Sequence, residues 1–131
     1  MERSPLNGRS ILVVEDEPMI AMDIEDAFAR CGADVAVATT VRDAMQIVDD
    51  GFALGILDHG LPDGHGTELY ELMHELGVPF IIYTGHDVPE GDRSGGVVVA
   101  KPAAEGKLRA VGEGLVSAAN VRSGSAKIVE A

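Results

Sequence analysis

The chain has 131 residues, 46% of them hydrophobic and 24% charged. That is one domain's worth of sequence, long enough to bury a core unaided, and it excludes a disordered or collagen-like chain. Ten Lys and Arg against 22 Asp and Glu leave a formal net charge of −12, which repels nucleic-acid phosphates and anionic lipid surfaces alike. No apolar run reaches the ~18 residues of a membrane-spanning helix, and residues 1–10 lack the apolar centre of a signal peptide. The single cysteine, Cys31, excludes an internal disulfide and any multi-cysteine metal site. The expectation is a cytoplasmic protein that binds neither nucleic acid nor membrane. Residues 15–63 hold twelve acids and only two bases, Arg30 and Arg42, so a cation, metal or protein, is the natural partner of that half.

Taken in order, Ile11, Leu12, Val13 and Val14 form a short β-branched run that stops at Glu15, Asp16, Glu17 and Pro18. This reads as a buried strand running into a helix start, with acids near the positive end of the helix dipole and Pro18 in the first turn. Ile20, Ile24, Ala27 and Phe28 recur at helical spacing until Gly32 stops the helix. A weaker strand over 34–38 follows. Thr40 and Asp43 then resemble a capping box, opening a helix with Ala44, Ile47 and Val48 facing the core. Residues 52–57 are a third apolar run ending at Asp58, and 59–66 are a Gly/Pro/Asp-rich loop. Thr67 begins a helix with Leu69, Leu72, Met73 and Leu76 inward, closed by Gly77.

The fourth strand, 78–83, ends at Thr84 and Gly85, and the fifth, 96–100, ends at Lys101 and Pro102. The intervening polar stretch predicts a helix that is short or absent. A last helix from about Ala103 buries Leu108, Val111 and Leu115, with Gly106, Gly112 and Gly114 each weakening it by about 1 kcal/mol. Strands alternating with helices predict an α/β fold: a five-stranded parallel sheet covered on both faces, in the flavodoxin-like order 2-1-3-4-5.

In such sheets ligands bind at the carboxyl ends of the strands, where strand order reverses. Four of the five strands here end in a polar residue: Glu15 and Asp16, Asp58, Thr84, and Lys101. With the first and third strands adjacent, Asp16, Asp58 and Glu15 meet and repel one another unless a cation joins them. Oxygen ligands without His or Cys suit Mg²⁺. Lys101 needs a carboxylate or phosphate nearby, and Asp58 is the expected partner. Thr84 supplies a hydroxyl, and Gly85 lets a backbone N–H approach a ligand closely. A carboxylate nucleophile, a divalent cation, a lysine and a hydroxyl are the parts phosphoryl transfer requires, with Asp58 as the acceptor.

These residues closely resemble the receiver domains of bacterial two-component response regulators. The motifs, in order, are Val13-Val14-Glu15-Asp16-Glu17-Pro18, Asp58 with Leu61-Pro62 and Gly66, Thr84-Gly85, and Lys101-Pro102. The resemblance implies that Asp58 is the phosphoacceptor. It also implies that Asp16 coordinates Mg²⁺ directly, Glu15 through water, and that the Gly60 carbonyl completes the protein ligands. Thr84 and Lys101 then bind the phosphoryl oxygens, and the donor is a sensor histidine kinase or histidine phosphotransferase. Val98 stands where that family usually has an aromatic switch residue. Pro79-Phe80-Ile81-Ile82-Tyr83-Thr84-Gly85 is similar to the Pro-Phe-x-Phe-Ala-Thr-Gly motif of single-domain receivers with an atypical fourth helix, with Tyr83 in place of Ala.

The expected layout is an N-terminal segment over 1–9, a receiver domain over 10–117 and a flexible tail over 118–131, acting as a single-domain regulator through a downstream protein partner and present as a monomer or weak dimer. Phosphorylation is expected to order residues 85–95. Two alternatives remain at this level. A phosphatase of the haloacid-dehalogenase type usually carries a second Asp two residues after its nucleophile, where this chain has Gly60. A phosphorylation-independent binding module of the same fold is the other. His59, His65, His74 and His86 fall on three separate segments and are not expected to form a metal site, although His59 and His86 border the acidic rim and could tune access of water to a phosphoaspartate.

Overall fold

The computed structural model describes residues 3–104 and 106–130. Residues 1, 2 and 131, at the ends of the expected N-terminal segment and tail, lie outside the described residues, as does Glu105 in the approach to the last helix. In chain order the elements are β1 (Ser10–Val14), α1 (Pro18–Ala29), β2 (Asp34–Ala38), α2 (Val41–Ile47), β3 (Phe52–Leu57), β4 (Gly60–Leu61), β5 (Gly64–His65), α3 (Thr67–Leu76), β6 (Phe80–Thr84), β7 (Val97–Ala100) and α4 (Lys107–Glu130). The five longer strands form one parallel sheet in the order β2-β1-β3-β6-β7, and β4 and β5 make a separate two-stranded antiparallel ladder. With that small hairpin set aside, this is the expected 2-1-3-4-5 order.

Alternation along each strand divides the core between the two sheet faces, because successive side chains of a strand point to opposite sides. Ile11, Val13, Ile56, Ile81 and Val99 pack with Ile24 and Phe28 of α1 and Val116 of α4. Leu12, Val14, Leu57, Phe80 and Ile82 pack with Ala44 of α2 and Leu69, Tyr70 and Met73 of α3. Gly55, central in β3, is required for this second layer, since a Cβ there would run into the Met73 side chain. The N-terminal segment is docked: Leu6 is fully buried and Gly8 N–H bonds the Gly32 carbonyl at 2.9 Å.

Several expectations are corrected. Ile47 is 43% exposed. α2 ends there, and the chain turns extended at Val48, which packs against the core instead. In α3 it is Tyr70, not Leu72, that joins Leu69 and Met73 in the buried set. The last helix starts at Lys107, beyond the left-handed Gly106 (φ +85°), rather than near Ala103. Its bounds run to Glu130, and the sequence holds no proline along it. The expectation of a short or absent fourth helix holds: residues between β6 and β7 form only a 3₁₀ turn at Glu90–Asp92. Buried Val88 pins that stretch to the sheet, and Arg93 Nε donates to the Val88 carbonyl at 2.9 Å.

Two local devices set the loops around the strand ends. Thr40 caps α2, its hydroxyl accepting from Asp43 N–H at 3.0 Å. Asp63, from the loop after β3, accepts from Val41 N–H at 2.9 Å and Arg42 N–H at 3.0 Å, tying that loop to the same helix end. Gly112 is also structural. A Cβ there would lie 2.8 Å from Leu54 Cδ2, whereas Gly114 faces open space. Gly112 therefore lets α4 approach the sheet, whereas Gly114 carries the uncompensated entropic cost of a helical glycine.

Urea unfolding is expected to separate the two glycines: Gly114→Ala stabilises the protein by about 1 kcal/mol, and Gly112→Ala gives none of that gain. The hydrogen bonds from Val41 and Arg42 N–H hold the Asp63 carboxyl below its ordinary 3.8. A carboxyl whose folded value is depressed adds stability above the unfolded value and loses it as pH falls through the folded one. Asp63→Ala is therefore less stable than the wild type at neutral pH, and the gap narrows as pH drops below 3.8. Denaturation curves across that range check this, and a gap independent of pH contradicts it.

Candidate functional site

Backbone pairing that continues one residue past each strand gathers the polar side chains at the carboxyl rim. Glu15 N–H bonds the Ala38 carbonyl at 3.0 Å, Asp58 N–H the Val14 carbonyl at 2.9 Å, and Lys101 N–H the Thr84 carbonyl at 3.0 Å. The ladder, not the loops, thus holds the main chain at these three positions. Glu15, Asp58 and Thr84 are buried at 2%, 7% and 1% exposure, unusual for such groups unless they are paired.

The pairing comes from Lys101. Its Nζ donates to Glu15 Oε1 at 2.6 Å and to Asp58 Oδ2 at 3.1 Å. Asp58 is thus a partner of Lys101 as expected, but Glu15 is the nearer one, which the sequence reading missed. Glu15 Oε2 also accepts from Glu17 N–H at 3.3 Å, and Asp58 Oδ1 from Gly60 N–H at 3.3 Å. Asp16 adds a third carboxylate, and oxygens of Glu15, Asp16 and Asp58 lie within 4.8 Å of one another. Three carboxylates against one ammonium leave two negative charges in excess at the rim. An all-oxygen, electronegative and partly exposed donor set fits a hard divalent cation that retains water, as Mg²⁺ does.

Burial pushes the Glu15 carboxyl above its ordinary value, and the neighbouring Asp58 charge adds to this, while the Lys101 hydrogen bond opposes it. Burial by itself would lower Lys101. Its hydrogen bonds to Glu15 and Asp58 outweigh that and raise it, so the ammonium is held charged.

Thr84 and Gly85 sit at the end of β6, between β3 and β7 in the sheet. Thr84 Oγ1 accepts from His86 N–H at 3.2 Å. A Cβ on Gly85 would meet nothing within 4 Å, so packing does not require glycine there, and the backbone faces open space. Gly60 is exposed, with the His86 ring against it: a Cβ at Gly60 would lie 3.0 Å from His86 Cδ2.

Beneath Asp58 the structure shows a layer the sequence reading did not find. Tyr70 is fully buried, its hydroxyl donating to the Asp58 carbonyl at 3.4 Å and lying 3.1 Å from His59 Nδ1. Burial, and then the Asp58 charge, push the Tyr70 phenol well above its ordinary range. Its signal was the helical register of α3, where position 70 is one residue from Leu69 and three from Met73. Among the described residues the only group of potential metal ligands is this acidic trio.

The chain matches the response regulator receiver domain family over residues 11–111. It is 34% identical over 106 residues to the uncharacterized transcriptional regulatory protein YrkP of Bacillus subtilis, covering 76% of this chain and 46% of that protein. It is 29% identical over 82 residues to the two-component response regulator ARR18 of Arabidopsis thaliana, covering 60% of this chain and 13% of that protein. The chain thus spans less than half the length of both relatives. A CheY-like receiver domain structure from Methanospirillum hungatei superposes with a TM-score of 0.80 at 25% identity, covering 88% of this chain and 99% of that one. TrrA of Thermotoga maritima, solved in complex with Mg²⁺ and BeF, shares the fold at a TM-score of 0.70 and 23% identity, covering 82% of this chain and 98% of its own. No helix among the described residues is long and apolar enough to cross a membrane. A match that runs from β1 through the acidic rim to Lys101 and into α4 leaves one assignment: this chain belongs to the response regulator receiver domain family.

Proposed function

We propose that Asp58 accepts a phosphoryl group from the phosphohistidine of a sensor histidine kinase or histidine phosphotransferase, and that the chain passes the signal, or the phosphate, to a downstream protein. The observation that carries this reading is the Lys101 ammonium bridging Glu15 and Asp58 beside a third carboxylate, Asp16. In the transfer, an Asp58 carboxylate oxygen attacks phosphorus while the P–N bond to the donor imidazole breaks. The electron pair of that bond returns to the imidazole nitrogen, which takes up a proton. Glu15, Asp16, Asp58 and the Gly60 carbonyl would hold Mg²⁺, which when bound neutralises charge on the transferring phosphoryl oxygens.

The remaining work belongs to the chain's own side chains. Lys101, already at hydrogen-bond distance from Asp58, takes up a phosphoryl oxygen. The Thr84 hydroxyl and the Gly85 N–H, at the adjacent strand end, donate hydrogen bonds to the others. Gly60, where a hydrolase of the haloacid-dehalogenase type would carry its acid, offers only a backbone N–H to Asp58. This favours a phosphorylated signalling state over turnover of a substrate.

Intact mass spectrometry after incubation with acetyl phosphate and Mg²⁺ is expected to show a phosphoryl adduct on the wild type and none on Asp58→Asn. An adduct on both places the acceptor elsewhere, and an adduct on neither, with Mg²⁺ bound, favours a phosphorylation-independent module. Metal binding is tested separately. Mg²⁺ at one hundred times its Kd would stabilise a one-site protein by roughly 2.7 kcal/mol. Asp16→Asn removes a carboxylate that makes no ion pair among the described residues, so the fold is retained while most of the Mg²⁺-induced rise in Tm is lost. An unchanged rise removes Asp16 from the ligand set.

A further inference from the structure

One residue of the phosphoryl site, Lys101, also belongs to a second feature. A groove of about 520 Å³ runs between α1 and the start of α4, lined by Ile20, Ile24 and Ala27 on one side and Leu108 on the other, with Lys101 shared between groove and rim and Tyr83 in the groove lining beside it. Tyr83 is on the sheet face opposite Val98: it packs with the α1 and α4 core, whereas Val98 packs against that of α2 and α3. Its two polar contacts point in two directions. The ring carries Lys101 Nζ at 5.5 Å from its centroid, within the range of a cation–π attraction. The hydroxyl accepts the Ala103 N–H at 3.0 Å, holding the stretch after Lys101 that forms one wall of the groove. A phenylalanine would fill the same space and make only the first contact.

We propose that Tyr83 is the positioning residue that couples the charge state of Asp58 to the shape of the α1–α4 groove. The inference rests on the reading of Asp58 as phosphoacceptor. Phosphorylation adds negative charge at Asp58 and draws the Lys101 ammonium from Glu15 toward the phosphoryl oxygens. That movement changes the position of the cation over the Tyr83 ring, and the hydroxyl carries the adjustment to Ala103 and the groove wall. By linkage, whatever stabilises the altered groove stabilises phosphorylated Asp58 to the same degree. The route runs through the face of the sheet away from position 98, so it needs no aromatic residue there.

The test compares full-length wild type and Tyr83→Phe, each with Mg²⁺, before and after treatment with acetyl phosphate. Intact mass reports Asp58 occupancy, and amide chemical shifts report the groove. In the wild type, shifts of Ala27 and Leu108 are expected to change on phosphorylation. Tyr83→Phe is expected to be phosphorylated to the same extent, with the phosphorylation-dependent change at those residues reduced to less than half. A merely structural hydroxyl would move both states together and leave the difference between them intact, and that result overturns the proposal. So does a wild-type response confined to residues 85–95, on the other side of the site. Failure to form the adduct removes the phosphoacceptor reading and this inference with it, whereas an adduct without a groove response removes the inference alone.

Discussion

The rim of the sheet is organised around one cation. Carboxylates crowded as closely as Glu15, Asp16 and Asp58 repel one another by roughly 4 kcal/mol per pair at 4 Å in a medium of intermediate polarity. The Lys101 ammonium, 2.6 Å from Glu15 and 3.1 Å from Asp58, offsets part of this and makes the burial of two acids tolerable. The excess negative charge that remains gives the rim its demand for a further cation. The same charge makes the site responsive: any group added at Asp58 must be accommodated by moving the ammonium or recruiting metal.

The rest of the fold serves to place that lysine. Lys101 lies at the end of β7, two strands from β3 in the sheet, with β6 between them. Its backbone is fixed by the Thr84 carbonyl and its side chain spans to the acids. The two apolar layers that flank the sheet hold the strands in register, through Phe28 and Val116 on one face and Tyr70 and Met73 on the other. Tyr70 links this packing directly to the site, because its hydroxyl reaches the Asp58 carbonyl from inside the core. Replacement of a full fourth helix by a 3₁₀ turn anchored on Val88 leaves the β6–β7 side of the site with little helical surface. The groove between α1 and α4 is on the opposite face.

Much of this was legible in the linear sequence. Runs of β-branched residues alternating with amphipathic segments specify a parallel sheet, and parallel crossovers have one hand, so the strand order follows from few alternatives. Once the order is known, residues at strand ends are neighbours, and the approach of Glu15, Asp16, Asp58 and Lys101 follows without knowledge of any side-chain conformation. Gly32 and Gly77 marked helix stops, and both have the positive φ that such stops use.

What the sequence by itself determined is which residues reach the rim, because strand length and alternation are local properties of the chain. What only the tertiary structure decided is how they are paired. Glu15 competes with Asp58 for Lys101 through distances of a few tenths of an ångström. Tyr70 and Tyr83 acquire their roles from the Asp58 carbonyl and the Ala103 N–H, partners 12 and 20 residues away in sequence. Gly112, which reads as a helix defect, is a point of close approach to Leu54. Hydrogen bonds and ion pairs act over about 3 Å, and no periodicity in a sequence resolves positions that finely. Packing of two helical layers on a twisted sheet does.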